Sequence, residues 1–291
     1  MKIKKSLITA LKIIFTLILL FLIFKSVDVS KISGDLAALH VPSLLLLLGA
    51  LWVGQLLCSE RWRLFAVSLG MHGSLRSFIK LYFAGMFFNI GLPTLIGGDV
   101  VKAYMLSRKC DKPISFGLAT VIQDRVAGLF FLLLYGSVAI LLFPLTWRGI
   151  PLWTAHLSLW IAVAAAFILL YWSARLLEVP LKTENESFAR KTVRAMAEFH
   201  QALAKSSMTK GMFLRICIYS LLNAALALWI FQHVTVAAGH PVGIIPFAAL
   251  FPLITLVTML PITLGGIGLR EWVYVEALSL VGIPREAGLV I

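Results

Sequence analysis

Apolar runs of membrane length alternate with short polar stretches along most of this chain. The first run, from about Leu7 to Phe24, follows Met1-Lys2-Ile3-Lys4-Lys5 and is interrupted by Lys12. A basic start before an apolar stretch is also the pattern of a secretory signal. No small-x-small cleavage site follows, however; Lys25-Ser26-Val27-Asp28 comes instead. The pattern predicts an uncleaved first span with the N-terminus inside. Further full spans are predicted over Val41–Cys58, Ile114–Leu145, Leu152–Trp172 and Gly211–Val236. The second ends in Glu60-Arg61-Trp62-Arg63, which reads as a basic and aromatic anchor at the inner interface.

Two apolar runs are broken. Phe78–Leu92 stops at Pro93, and Gly97-Gly98-Asp99 follows. A full crossing would carry Lys102, Arg108, Lys109 and Lys112 outside, whereas a hairpin that enters and returns keeps them inside. Phe247–Leu260 breaks likewise between Pro261 and Gly268, and Trp272–Val281 returns. Irregular backbone at membrane depth is tolerated where it is buried in protein or lines a wet cavity. Both hairpins are therefore expected to form cavity walls.

The breaks are copies of one pattern, L-P-x-x-x-G-G-x-x-x-[K/R], running from Leu92 to Lys102 and from Leu260 to Arg270 at a constant offset of 168 residues. Each half then reads as span, span, re-entrant hairpin, span. Three crossings is an odd number, so the second copy must sit inverted in the bilayer. The expected fold is an all-α integral membrane protein of two inverted repeats, 1–145 and 146–291. Pro113-Ile114-Ser115-Phe116-Gly117-Leu118 resembles Pro284-Arg285-Glu286-Ala287-Gly288-Leu289. The repeat thus predicts a final helix truncated at Ile291, short by on the order of 20–25 residues of a full span.

Composition supports the membrane assignment. Of 291 residues, 60% are hydrophobic and 13% charged, with a mean hydropathy of +0.95; soluble domains carry about a quarter charged residues. The net charge of +13 does not point to nucleic acid, because the cations cluster between apolar runs. All the Lys and Arg except Lys25, Lys31, Arg148, Arg270 and Arg285 fall on segments predicted to face inward, as expected for an inner-membrane protein with a cytoplasmic N-terminus. Residues 173–210 form the largest hydrophilic segment, with a capping-box pattern at Thr183-Glu184-Asn185-Glu186. Phe188, Val193, Met196, Phe199 and Leu203 then recur at helical spacing, which predicts an amphipathic helix on the cytoplasmic surface. Cys58, Cys110 and Cys217 form no disulfide framework.

Candidate chemistry gathers at the breaks. Pro93 and Pro261 are the expected helix breakers, and Gly97-Gly98 and Gly265-Gly266 with Gly268 free the backbone for close approach. Amides opening the following half-helices would face an anion, with Lys102 and Arg270 about one turn further in. The competing reading is glycine for close helix packing, with the cations reaching for the interface. Asp99, Asp124, Arg125 and Glu271 are ionisable residues in or near the membrane and are expected to bind substrate. Asp99 and Lys102, spaced i,i+3, pair equally well with each other, and the same alternative stands for Asp124 and Arg125. Asn89 is expected to cap backbone groups freed by the first break. The six histidines lack metal spacing, and no hydrolase, metalloprotease or P-loop motif is present, so no metal or cofactor is expected.

These motifs, together with Gln123-Asp124-Arg125, resemble the lysylphosphatidylglycerol synthase transmembrane, or flippase-like, family over nearly the whole chain. That resemblance implies translocation of lipids or lipid-linked glycans, with members tied to aminoacylated phospholipids, hopanoids and polyprenyl-phosphate sugars. The family's synthases carry a cytosolic aminoacyl-transferase domain after the membrane region; these residues hold none, so synthase activity is not carried over. The leading expectation is a flippase or scramblase for a phosphate-bearing lipid, whose partners are anionic membrane lipids. The alternatives are a membrane glycosyl- or acyl-transferase acting on a lipid-linked substrate, and a non-transporting partner of a lipid-modifying enzyme.

Overall fold

The computed structural model describes residues 14, 16–19, 21, 41–91, 97–176, 196–203, 206–260, 263 and 266–290. Most of the first predicted span, the capping box at 183–186, and Pro93, Pro261 and Gly265 lie outside the described residues. The helices are α1 (Val41–Ser68), α2 (Leu75–Gly91), α3 (Gly97–Lys109), α4 (Ile114–Leu142), α5 (Leu152–Leu176), α6 (196–203), α7 (Lys210–Ala237), α8 (Ile244–Thr258), α9 (Leu269–Ser279) and α10 (Arg285–Val290). The only strands among the described residues, β1 (Thr146–Trp147) and β2 (Ile150–Pro151), flank a two-residue turn in which Arg148 and Gly149 both have positive φ.

The chain is an all-α integral membrane protein. Four helices are long and apolar enough to cross a bilayer: α1, α4, α7 and residues Leu152–Leu169 of α5. They are apolar on nearly every face, and Leu44, Leu48, Leu141 and Leu169 stand exposed, as helices surrounded by lipid require. The hairpin helices are shorter. At 1.5 Å per residue, α2 and α3 (17 and 13 residues) reach about 26 and 20 Å, and α8 and α9 (15 and 11 residues) about 22 and 16 Å. None covers the hydrocarbon core, which is about 30 Å thick. In each half the two hairpin helices pack together, and the returning one packs on the helix that follows it, α3 on α4 and α9 on α10.

Burial follows this plan. One apolar cluster joins Trp62, Phe78, Tyr82, Leu106 and Val121 from α1 to α4. Another surrounds the second hairpin with Ile140, Phe231, Phe247, Ile254 and Leu278. The contact between the halves runs along α1 against α7 and along α4 against α8. At the crossing of α4 and α8 a Cβ on Gly136 would run into the Pro252 ring. His156 of α5 pins the same crossing through Nε2, 2.9 Å from the Ala249 carbonyl oxygen. The short α6 packs Phe199, Ala202 and Leu203 against Leu69 and Ala119, in keeping with the amphipathic pattern read for this stretch.

Candidate functional site

The first hairpin is closed by an unusually near approach of two glycines. A Cβ on Gly98 would collide with the Gly85 carbonyl oxygen of α2 and with the Asn89 side chain. Asn89 Oδ1 accepts a hydrogen bond from the Gly98 N–H at 2.7 Å, the capping role expected of it. Gly98 does not have the positive φ that glycine alone tolerates, so here the residue serves proximity rather than turning. Gly98→Ala is therefore expected to lower stability by about 1–3 kcal/mol, the usual range for overpacking. Gly49→Ala, with open space around its Cβ, is the control for thermal unfolding in detergent.

Bringing α2 and α3 together against α4 assembles an ionic cluster. Asp99 accepts from Arg125 through both oxygens, at 2.8 and 2.9 Å, and from Lys102 Nζ at 3.0 Å. Arg61 donates from Nε to Asp124 at 2.7 Å and from a terminal nitrogen to Ser220 Oγ at 3.2 Å. Lys102 also lies over the Tyr82 ring at 4.3 Å and the Trp62 ring at 5.2 Å, a favourable setting for a desolvated cation. Three cations meet two carboxylates, leaving one net positive charge. The cations differ in access: the Lys102 and Arg61 side chains are 3% and 7% exposed, the Arg125 side chain 44%. Arg125 is thus the cation of this cluster most open to an incoming ligand, although both Asp99 oxygens already hold it.

Two chambers adjoin the cluster. A polar one of about 220 Å³ is lined by Gln55, Asn89, Asp99, Lys102 and Arg125, with Tyr82 in its wall. A larger, mostly apolar one of about 370 Å³ shares Tyr82 and Arg125 with it and runs between α1, α4, α7 and α8. Tyr135 lines this second chamber, and its hydroxyl is buried with no hydrogen-bond partner among the described residues.

The second hairpin has the same outline and different details. Gly266 and Gly268 have φ of 85° and 82°, so here glycine supplies conformational freedom. The Gly268 N–H donates to Glu271 Oε2 at 2.6 Å, so the first half-helix amide is met by the helix's own carboxylate, as Gly98 is met by Asn89. Arg270 stands exposed one residue into α9 and does not line either chamber.

The family described as "Lysylphosphatidylglycerol synthase TM region" matches residues 9–291. The chain belongs to that family. It is also similar to a "UPF0104 membrane protein" of Methanothermobacter thermautotrophicus, 24% identical over 245 residues, covering 77% of this chain and 71% of the relative. No solved structure matches the chain.

Within this family membrane region, the residues singled out from sequence divide into two groups. Asp99, Lys102, Asp124 and Arg125 converge in the ionic cluster, Gly98 abuts Gly85 and Asn89 in the wall of the polar chamber, and Gly97 opens α3 without lining either chamber. Gly266, Gly268, Arg270 and Glu271 gather at the second break, and no hydrogen bond or ion pair joins the two groups among the described residues. Of the pairings held open, Asp99 with Lys102 forms. Asp124 and Arg125 diverge instead, to Arg61 and Asp99, because neighbours on a helix do not share a face. The sequence reading placed Arg61 and Trp62 at the interface, yet both are buried, Arg61 in its ion pair and Trp62 donating to Thr120 Oγ1 at 2.9 Å. Gln55, Tyr82, Tyr135 and Ser220 carried no sequence signal: each is an uncharged polar residue in a largely apolar stretch, at no motif spacing.

Proposed function

We propose that this protein translocates a phosphate-bearing lipid across the inner membrane, as a flippase or scramblase without chemistry of its own. The observation that carries this reading is the junction of a polar chamber, bearing net positive charge, with a larger apolar one. An amphiphile has that shape: an anionic head beside Arg125 and Lys102, and hydrocarbon beyond Tyr82. Moving a charged headgroup through lipid is costly because it is desolvated, and a polar chamber inside the bundle lowers that cost. The recurring motif and hairpin pattern support two inverted repeats, 1–145 and 146–291, with the N-terminus cytoplasmic. Arg270 would then serve the second hairpin as Lys102 serves the first. A transferase would need a carboxylate free to take a proton; Asp99 and Asp124 are both held by cations, which favours transport.

The test is translocation in proteoliposomes containing purified protein. The panel comprises zwitterionic, anionic and aminoacylated phospholipids and a short polyprenyl-phosphate sugar. We expect one phosphate-bearing class to move, and Lys102→Ala/Arg270→Ala to abolish that movement. Absence of transport by folded protein, or transport untouched by the double substitution, would sink the reading in its first or second part respectively.

A further inference from the structure

A third cavity lies on the far side of α4 from the ionic cluster. It measures about 460 Å³ and is walled by α1, α4, α5, α7 and the residues leading into α7, with Phe65, Ala127, Phe130, Phe167, Phe213 and Ile216 among its lining. That volume falls in the range of cavities that hold small ligands. Every residue contributed by α5 and α7 is apolar or a cysteine. Val126, Leu129 and Phe131 of α4 line both this groove and the mostly apolar chamber, so the two cavities abut through a single helix.

Gln123 is the exception to the lining. It is the only amide in the groove, and its Oε1 is buried with no hydrogen-bond partner among the described residues. It immediately precedes Asp124, whose carboxylate turns the other way, into the cluster with Arg61. A buried carbonyl without a donor is unfavourable in a low-dielectric setting. Here it marks the place where an apolar groove meets the charged interior.

We propose that this groove is a hydrocarbon-chain site, occupied by one chain of the lipid whose phosphate lies in the charged chamber, with Gln123 Oε1 accepting from a hydroxyl of the headgroup. The inference rests on the transport reading only for the identity of that lipid. Three features select a chain rather than another occupant. The lining is apolar almost throughout, the surrounding helices are of membrane length, and across α4 the groove abuts the mostly apolar chamber, which in turn shares Tyr82 and Arg125 with the polar one. Burial of each methylene from water is favourable, but between lipid and groove the gain is packing and residence next to the headgroup site.

The experiment uses the full chain in vesicles containing a phosphatidylglycerol with a diazirine at the end of one acyl chain. After illumination, labelled peptides are mapped. Label is expected to concentrate on 123–131, 163–167 and 213–217 over equally apolar exposed positions such as Leu44, Leu48 and Leu141. Ala166→Trp fills the groove from an exposed position, while Ala165→Trp adds the same bulk beside it without lining it. The first should remove most of the groove labelling, because the indole occupies the space of the chain; the second should leave it unchanged. Equal labelling of Leu44, Leu48 and Leu141, or equal effects of the two tryptophans, would overturn the site. Labelling does not depend on movement across the bilayer. Groove-specific label in a protein that moves nothing would uphold the chain site and reject the transport reading, and diffuse label in an active transporter would do the reverse.

Discussion

Asp124→Ala is expected to lower stability by about 3–5 kcal/mol, because it strands the buried Arg61 guanidinium without its carboxylate. Ser220, at 3.2 Å, would be the only remaining hydrogen-bond partner of that side chain among the described residues, and a hydroxyl does not neutralise it. The loss should appear as early unfolding in a detergent thermal melt. Arg61→Met/Asp124→Leu, which removes both charges and keeps comparable volume, should recover most of it. This pair joins α1 to α4, and through Ser220 it reaches α7, so its integrity bears on how the halves meet. Full stability of the single variant would show that water or another group reaches Arg61, and that the cluster is not dry.

Arg125→Ala should instead act on transport. Removing one charge-assisted contact to a phosphate costs about 1.5–3 kcal/mol, a fall of roughly ten- to hundredfold in rate at limiting lipid. Arg125→Lys should recover only part, since lysine keeps the charge and loses the planar two-pronged grip that this side chain shows toward Asp99. The contrast with Asp124 is the point of the pair of experiments. Arg125 is 44% exposed, so its loss should leave the melting transition near that of the parent while the flux collapses. Unchanged flux would move the headgroup contact to Lys102 or to the second hairpin.

Much of the architecture was legible in the chain because membrane segments obey one constraint, the internal satisfaction of backbone groups. The four long spans among the described residues and both broken helices fall within a few residues of where hydropathy and the Pro and Gly breaks placed them. The exception is the end of α1. The apolar run fades after Cys58, but the helix continues to Ser68, carrying Arg61 and Trp62 into the bundle. A basic residue following an apolar run ordinarily reaches for the interface; its partner here lies 63 residues away, on another helix. No local pattern encodes such a pairing. Asp99 with Lys102, one turn apart, could be read directly, whereas the two-pronged link from Asp99 to Arg125 depended on the fold. The glycine pairs teach a similar lesson. One motif appears twice, yet Gly98 serves a close crossing and Gly266 and Gly268 serve positive φ.

The bridge between Asp99 and Arg125 has a kinetic consequence. Asp99 is a built-in competitor for the guanidinium, and any incoming anion must win an exchange rather than fill a vacancy. If the bridge were closed about 99% of the time, apparent affinity would fall about a hundredfold below the intrinsic value. A carrier gains from that handicap: tight capture would trap the cargo at the midpoint, whereas a carboxylate ready to reclaim the arginine speeds release on either side.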